Sequence, residues 1–256
     1  MSDAIVPGPR VPFRCRLAML LRLFAVQGSW NYETLMGTGI GFAIEPALRQ
    51  LKDGLRSPRY RGALARQSRY FNAHPYLAGV AVGALAKTEL DGEDPERIER
   101  FRTALAGPLG SVGDRLVWAS WLPLCSLVAL GLYGLGAGPL AVMLAFLVLF
   151  NIGHLALRIW GLSLGLDRGL KVASGLGTPV LRNGPAVIGQ IAAFTAGGSL
   201  PLVLHRIIGP GRVLLAGVVF TAVAGGVLIG TLRERADGWR IALGVLAIFV
   251  LYAVLV

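Results

Sequence analysis

Charge is what this sequence has least of. Only 15% of its 256 residues are Asp, Glu, Lys or Arg, while 54% are hydrophobic, against roughly 45–50% in soluble domains. With 35 glycines as well, the chain is excluded as a compact soluble helical protein; membrane helices tolerate glycine and use it at close contacts. Cysteine is nearly absent. Cys15 and Cys125 stand far apart, match no metal-ligand spacing and supply no disulfide framework, so Cys125 reads as a small buried hydrophobe. Acidic residues are scarce too, leaving a net charge of +11. No aromatic-interleaved basic groove or nucleic-acid motif accompanies that excess, which excludes nucleic acid as a partner. Met1 to Arg16 alternates proline, glycine and arginine, so no cleavable signal is expected there.

What is present is a biased charge distribution and long apolar runs. Residues 1–70 hold eleven basic side chains against four acidic ones, the pattern of a segment kept on the cytoplasmic side near anionic lipid. Leu17 to Val26 is apolar but broken by Arg22, and reads as an amphipathic interfacial helix. Leu35 to Leu51 is interrupted by Gly37, Gly39, Gly41 and Pro46. Tyr76 to Ala86 spans only about half of the ~20 residues needed to cross a bilayer. Both are expected to be re-entrant or broken helices buried in protein. Asp94-Pro95 reads as an N-cap and first helical residue, opening a short solvated helix toward Ala106. From Trp118 onward, spans are expected near Trp118–Leu135, Pro139–Leu157, Pro185–Leu204, Arg212–Leu232 and Trp239–Val256.

The expected fold is thus an all-α integral membrane protein, with N-terminal amphipathic and re-entrant or broken helices followed by about five transmembrane-length helices. Residues 1–117 form the cytoplasmic and interfacial region, and 118–256 the transmembrane region. The loops Arg158–Gly184 and Arg233–Arg240 are basic and fall inside with the N-terminus. Arg206 and Arg212 then fall outside, against the rule.

Five ordered patterns carry a more specific message. Gln27-Gly28-Ser29-Trp30-Asn31-Tyr32-Glu33 is followed by Gly37, Gly41-Phe42 and Pro46-Ala47-Leu48. Next comes Tyr70-Phe71-Asn72-Ala73-His74-Pro75-Tyr76-Leu77-Ala78, with Gly83 beyond. The third is Gly107-Pro108-Leu109-Gly110-Ser111-Val112-Gly113-Asp114, ending in Trp118; the fourth is Gly138-Pro139. The fifth is Phe150-Asn151, then Arg158, Gly161, Gly165 and Gly169. Together they resemble the IID component of mannose/fructose/sorbose-family phosphotransferase permeases, over somewhat more than half of the chain.

The resemblance implies a single domain of about 17–256 in the bacterial inner membrane. It implies a IIC membrane subunit as partner within a hetero-oligomer, a soluble IIAB component that carries the phosphate, and a hexose as substrate. It implies no catalysis by this chain alone, no cofactor and no metal. The family commonly has proline where this chain has Arg115, often two acidic residues where it has Glu89-Leu90, and in many members a longer polar insertion before the last spans. These departures leave a divergent regulatory or assembly subunit without sugar flux as the alternative.

Several residues have readings of their own. Trp30 and Tyr32 are suited to the headgroup level or to docking a partner. The proline of Asn72-Ala73-His74-Pro75 forces a turn, so His74 is expected to be structural; a membrane-embedded enzyme using Asp114 and His74 finds no third member. Asp114 is either an interfacial carboxylate satisfied by backbone or part of a substrate path or subunit contact. Asn151, His154 and Arg158 share one helical face, either as a polar stripe at a subunit interface or with Arg158 snorkelling to the headgroups.

Overall fold

The structure is a computed structural model in which residues 11–208 are described. All its regular elements are helices, accompanied among the described residues by two isolated backbone bridges, Asn31–Leu35 and Leu35–Phe71. The expected spans Arg212–Leu232 and Trp239–Val256 lie outside the described residues.

The N-terminal half is a block of short helices. α1 (Phe13–Leu23) buries Cys15, Met19 and Leu23 at four-residue spacing, while Phe13, Leu17 and Leu21 on its other side are exposed. It begins before Leu17 and ends before Val26, because the chain breaks into consecutive turns from Phe24 to Trp30. α2 (Gly37–Leu48) is almost wholly buried, although Pro46 interrupts its hydrogen bonding. α3 (Pro58–Gln67) starts at Ser57, whose hydroxyl accepts from the Tyr60 N–H.

α4 (Ala78–Asp91) is the centre of the block, buried along nearly its whole length. It ends at Gly92, whose φ of +76° is the left-handed conformation favoured at helix ends. Charged networks lock these pieces together. Glu89 on α4, 4% exposed, accepts from Arg66 at 3.0 and 2.8 Å and from Gln67 at 2.7 Å on α3. Glu45 on α2 accepts from Arg22, Arg49 and Tyr60. Burial alone would raise its pKa, but those three hydrogen bonds hold it below the ordinary glutamate value.

α5 (Pro95–Gly113) opens as the sequence suggests, with the Asp94 carboxylate accepting from the Glu96 and Arg97 N–H groups. It does not stop near Ala106. The helix continues through a π-helical run, Asp114–Trp121, into α6 (Leu122–Gly134), making one element of 40 residues, Pro95–Gly134. Pro108 sits within it, although proline is the poorest residue for a helix interior.

α7 (Pro139–Arg168) is opened by Gly138 and by Pro139 at its first turn. The basic stretch expected to be a loop from Arg158 is instead mostly helical. Arg158–Arg168 is the last part of α7, and α8 (Val172–Leu176) and α9 (Pro179–Ile208) follow at once. Three stretches are long and apolar enough to cross a membrane: Pro95–Gly134, Pro139–Gly175 and Leu181–Ile207. They cover the expected spans Pro139–Leu157 and Pro185–Leu204 and all but the last residue of Trp118–Leu135.

Two glycine contacts organise these helices. Gly79 and Gly83 of α4 face Gly161 and Gly165 of α7, so that backbones touch: a Cβ on Gly79 would lie 2.9 Å from the Arg158 carbonyl oxygen. On the far side, α6 meets α9 where Ser199 donates to the Leu127 carbonyl at 2.9 Å beside Gly131. Arg206 of α9 donates to the carbonyls of Tyr133 and Ala137 at the end of α6 and lies over the Tyr133 ring. Its charge thereby satisfies a helix C-terminus.

Candidate functional site: an aromatic and histidine cluster around Tyr76

The turn between α3 and α4 is fixed from below. Arg102 on α5, 2% exposed, donates to the carbonyls of Gln67, Arg69 and Tyr70 at 3.3, 2.6 and 2.8 Å. Pro75 then holds the chain in a turn in which the Leu77 N–H reaches the His74 carbonyl and the Tyr76 N–H donates to His74 Nδ1 at 3.2 Å. This places the Tyr76 ring between three other elements. Trp118 comes from the π-helical run, Phe150 and His154 come from α7, and Phe24 follows α1.

The rings contact one another directly. Tyr76 stacks on His154 with centroids 4.4 Å apart, and meets His74 at 5.2 Å, Trp118 at 5.9 Å and Phe150 at 5.9 Å. His74 also packs on Trp118 at 5.1 Å. Gly113 makes that possible, since a Cβ there would overlap the His74 side chain. Arg158, 4% exposed, closes the cluster: its guanidinium lies 5.2 Å from the Phe24 ring and 5.3 Å from the Tyr76 ring and donates to the Leu23 carbonyl. It therefore does not snorkel. A buried cation without a carboxylate among the described residues is stabilised here by two π faces and one backbone oxygen.

The polar atoms of the cluster have definite roles. Because His74 Nδ1 accepts from Tyr76, its proton sits on Nε2, which finds no acceptor among the described residues. Asn151 donates through Nδ2 to the Leu147 carbonyl at 2.7 Å, so its Oδ1 accepts from His154 Nδ1 at 3.2 Å. His154 Nε2 and Arg158 Nε are likewise buried without partners. Burial pushes the His74 imidazole down to about 4; the Asp114 carboxylate opposes this and the Arg158 charge adds to it. Among the described residues no three His, Cys, Asp or Glu side chains meet as a metal site.

The cluster gathers His74, Trp118, Asn151 and Arg158 from separate motifs, and Asp114 acts on it through its charge while itself exposed. Asn72 is exposed beside the turn. The first motif lies elsewhere. Asn31 folds its own loop, accepting from the Glu33 and Thr34 N–H groups and donating to Ser29 and Thr34, which brings Leu35 to φ +49°. Trp30 and Tyr32 pack edge to face at 4.9 Å on the surface, and Gln27 is exposed. Gly107 and Pro108 are exposed on α5. Sequence reasoning missed Phe24, Trp121 and Gly153. The Trp121 indole lies against α7 only because Gly153 has no side chain. The four-residue spacing of Phe150, His154 and Arg158 was the available signal.

Comparison with known proteins places this architecture. A sequence model of the PTS system mannose/fructose/sorbose family IID component matches residues 14–197. The mannose-specific EIID component of Escherichia coli K12 is 30% identical over 202 residues, covering 74% of this chain and 70% of that protein. The sorbose-specific EIID component of Klebsiella pneumoniae is 31% identical over 68% of this chain and 65% of its own length. The fructose permease IID component of Bacillus subtilis is 28% identical, over 74% and 72% respectively. Two solved structures share the fold. One, described as a membrane protein, has a TM-score of 0.67 at 24% identity, covering 96% of this chain and 98% of its own. A chain of the mannose transporter ManYZ in complex with a microcin has a TM-score of 0.58 at 23% identity, covering 95% and 97%. The chain belongs to the IID component family of the mannose/fructose/sorbose phosphotransferase systems, and is a membrane subunit of that kind of sugar transporter.

Proposed function

We propose that this chain is the IID half of a permease, paired with a IIC subunit in the bacterial inner membrane and supporting uptake of a hexose of the mannose, glucose or fructose class. The sugar is phosphorylated as it crosses by a soluble IIAB component, and this chain carries no phosphate of its own. The observation that carries the reading is the family match over residues 14–197; within it His74, Trp118, Phe150 and Arg158 gather around Tyr76. His74 supports a structural role over a phosphoryl-accepting one: its ring is 2% exposed and enclosed by Tyr76, Trp118 and Gly113.

In this arrangement residues 1–70 lie on the cytoplasmic side. α6 leaves the cytoplasm, α7 returns to it and α9 leaves again, so that Arg206 sits at the outer end beside Tyr133. α1 lays Phe13, Leu17 and Leu21 at the headgroup level, and α2 and α4 stay shielded within protein. Deleting the chain tests the transport reading. Phosphoenolpyruvate-dependent accumulation of phosphorylated mannose, glucose or fructose in membrane vesicles is expected to disappear, and unchanged uptake refutes the proposal. A regulatory or assembly subunit without sugar flux is the second reading. Arg115 favours it: the side chain is exposed and folds back to the Ser111 carbonyl at 3.2 Å, at a position where the family commonly has proline.

A further inference from the structure

Residues 49–70 carry seven basic side chains and a single acidic one, Asp53. Four of the seven are engaged within the protein. Arg66 pairs with Glu89, Arg49 with Glu45 and Arg69 with Glu99, while Arg59 reaches Asp53 at 3.5 Å and the Glu89 carbonyl at 3.2 Å. Lys52, Arg56 and Arg61 remain. All three are exposed, and none has an ion pair or side-chain hydrogen bond among the described residues.

The segment before α3 that carries Lys52 and Arg56 is a fixed turn. The Gly54 N–H donates to the Leu51 carbonyl at 3.3 Å, and Gly54 adopts φ +80°. Its own carbonyl accepts from the Ser57 N–H at 3.2 Å and from the Ser57 hydroxyl at 2.8 Å. Leu51 is buried at the start of this turn, whereas Leu55, between Lys52 and Arg56 in sequence, is 53% exposed.

Whatever covers this surface must meet cations and an apolar side chain together. The rest of the chain does not complement it. Residues 1–10 hold one acidic and one basic side chain, and residues 209–256 hold two acidic and four basic ones. A second copy would bring the same cations against it, and like charges repel. An acidic protein would neutralise the cations and leave Leu55 against charge. An anionic leaflet meets both, with headgroups for the cations and an apolar layer directly beneath for the leucine. The start of α3 also lies two hydrogen bonds from α1: Glu45 accepts from Arg22 of α1 at 2.7 Å and from the Tyr60 hydroxyl of α3 at 2.9 Å.

We propose that Lys52, Arg56 and Arg61 bind the anionic phospholipid headgroups of the inner leaflet, with Leu55 seated in the apolar layer beneath them. The proposal rests on the reading above that residues 1–70 lie on the cytoplasmic side with α1 at headgroup level.

An environment-sensitive fluorophore at Leu55→Cys, with Cys15→Ala and Cys125→Ala, tests it in the full chain reconstituted into phosphatidylglycerol–phosphatidylcholine vesicles. Blue-shifted emission is expected, quenched more strongly by brominated phosphatidylglycerol than by brominated phosphatidylcholine. Added salt should weaken that preference. Lys52→Gln, Arg56→Gln and Arg61→Gln together should reduce it severalfold without changing thermal unfolding. The same fluorophore at Glu96→Cys, an exposed position at the start of α5, should emit as in water. Solvent-like emission at Leu55→Cys overturns the proposal, as does equal quenching by the two lipids. Blue-shifted emission that neither lipid quenches also overturns it, because protein then covers the site. The reading beneath it is tested separately with a membrane-impermeant maleimide on intact cells. Glu96→Cys is expected to react only after lysis, and reaction from outside overturns the cytoplasmic placement together with the lipid site.

Discussion

The two halves of α7 lie in different surroundings, although one uninterrupted helix runs through both. From Pro139 to Leu157 its large apolar side chains point away from the protein, with Leu140, Met143, Leu144, Val148 and Ile152 all exposed. From Arg158 to Arg168 it buries Arg158, Gly161, Leu162, Gly165 and Leu166 against α4. The first half is rich in bulky residues, and apart from its Phe150, Gly153 and His154 contacts its large side chains meet little among the described residues. The second places Gly161 and Gly165 against α4 and fits its neighbour backbone to backbone. Along α7, high hydropathy therefore marks the surface of the described residues, whereas its tightest contact is built around Gly161 and Gly165. That inversion is what a bilayer solvent demands, because lipid removes the usual penalty on exposed leucine.

The largest effect should come from filling the tight half. Gly83→Leu places a side chain against the α7 backbone, with the Leu166 nitrogen 2.8 Å from the new Cβ, at the upper end of the roughly 1–3 kcal/mol usual for overpacking. The expected readout is a protein that aggregates or unfolds early in a detergent melt. A melt matching wild type would mean that α4 and α7 do not touch as described.

Glu89→Ala comes next. It leaves Arg66 and Gln67 facing a hole where the carboxylate accepted both, and a broken buried pair costs about 3 kcal/mol or more. Thermal unfolding measures it, and a shift no larger than that of a surface substitution would remove this network from the account.

The cluster adds a pH dependence. His74 is held neutral with its pKa pushed down to about 4, while an unfolded histidine titrates near 6.5. Between those values the unfolded chain binds the extra proton and the folded chain does not, so stability falls as pH drops through this window. His74→Phe is expected to flatten that part of the stability profile; an unchanged profile would assign the pH dependence elsewhere.

The smallest effect belongs to the exposed half of α7. Leu144→Ala, at a side chain 48% exposed, is expected to change stability of the isolated chain by less than about 0.5 kcal/mol. A loss comparable to that of Glu89→Ala would show that this surface is covered within the chain.

Much of this was legible from residue order alone. Asp94-Pro95 and Gly138-Pro139 announce helix starts through chemistry local to the turn, and both starts are observed. The first three long apolar helices follow from composition and length. The tertiary partners were not legible. Tyr76–Ala86 reads as a re-entrant or broken helix buried in protein, but the partner that buries it shows only in the pairing of Gly79 and Gly83 with Gly161 and Gly165. Arg158 stands near the end of a span, so snorkelling was a natural reading; its acceptor, the Leu23 carbonyl, lies far away in sequence. The π-helical run leaves no residue signature; within it Ser120 donates to the Pro185 carbonyl of α9, a partner far away in sequence. In the candidate site, the motif residues were found and the geometry joining them was not.

The helix from Pro95 to Gly134 is also a mechanical object. At 1.5 Å of rise per residue it measures about 60 Å along its axis, with one end in the block of short helices and the other against Arg206. On such a lever a tilt of roughly 5° at one end displaces the other by about 5 Å. Bending concentrates where backbone hydrogen bonds are missing or shifted, at Pro108 and along Asp114–Trp121. Those two weak points bracket Gly110 and Gly113, so any bending of the rod would fall beside the histidine and aromatic rings, and a movement of its Gly134 end would be felt first at Tyr76.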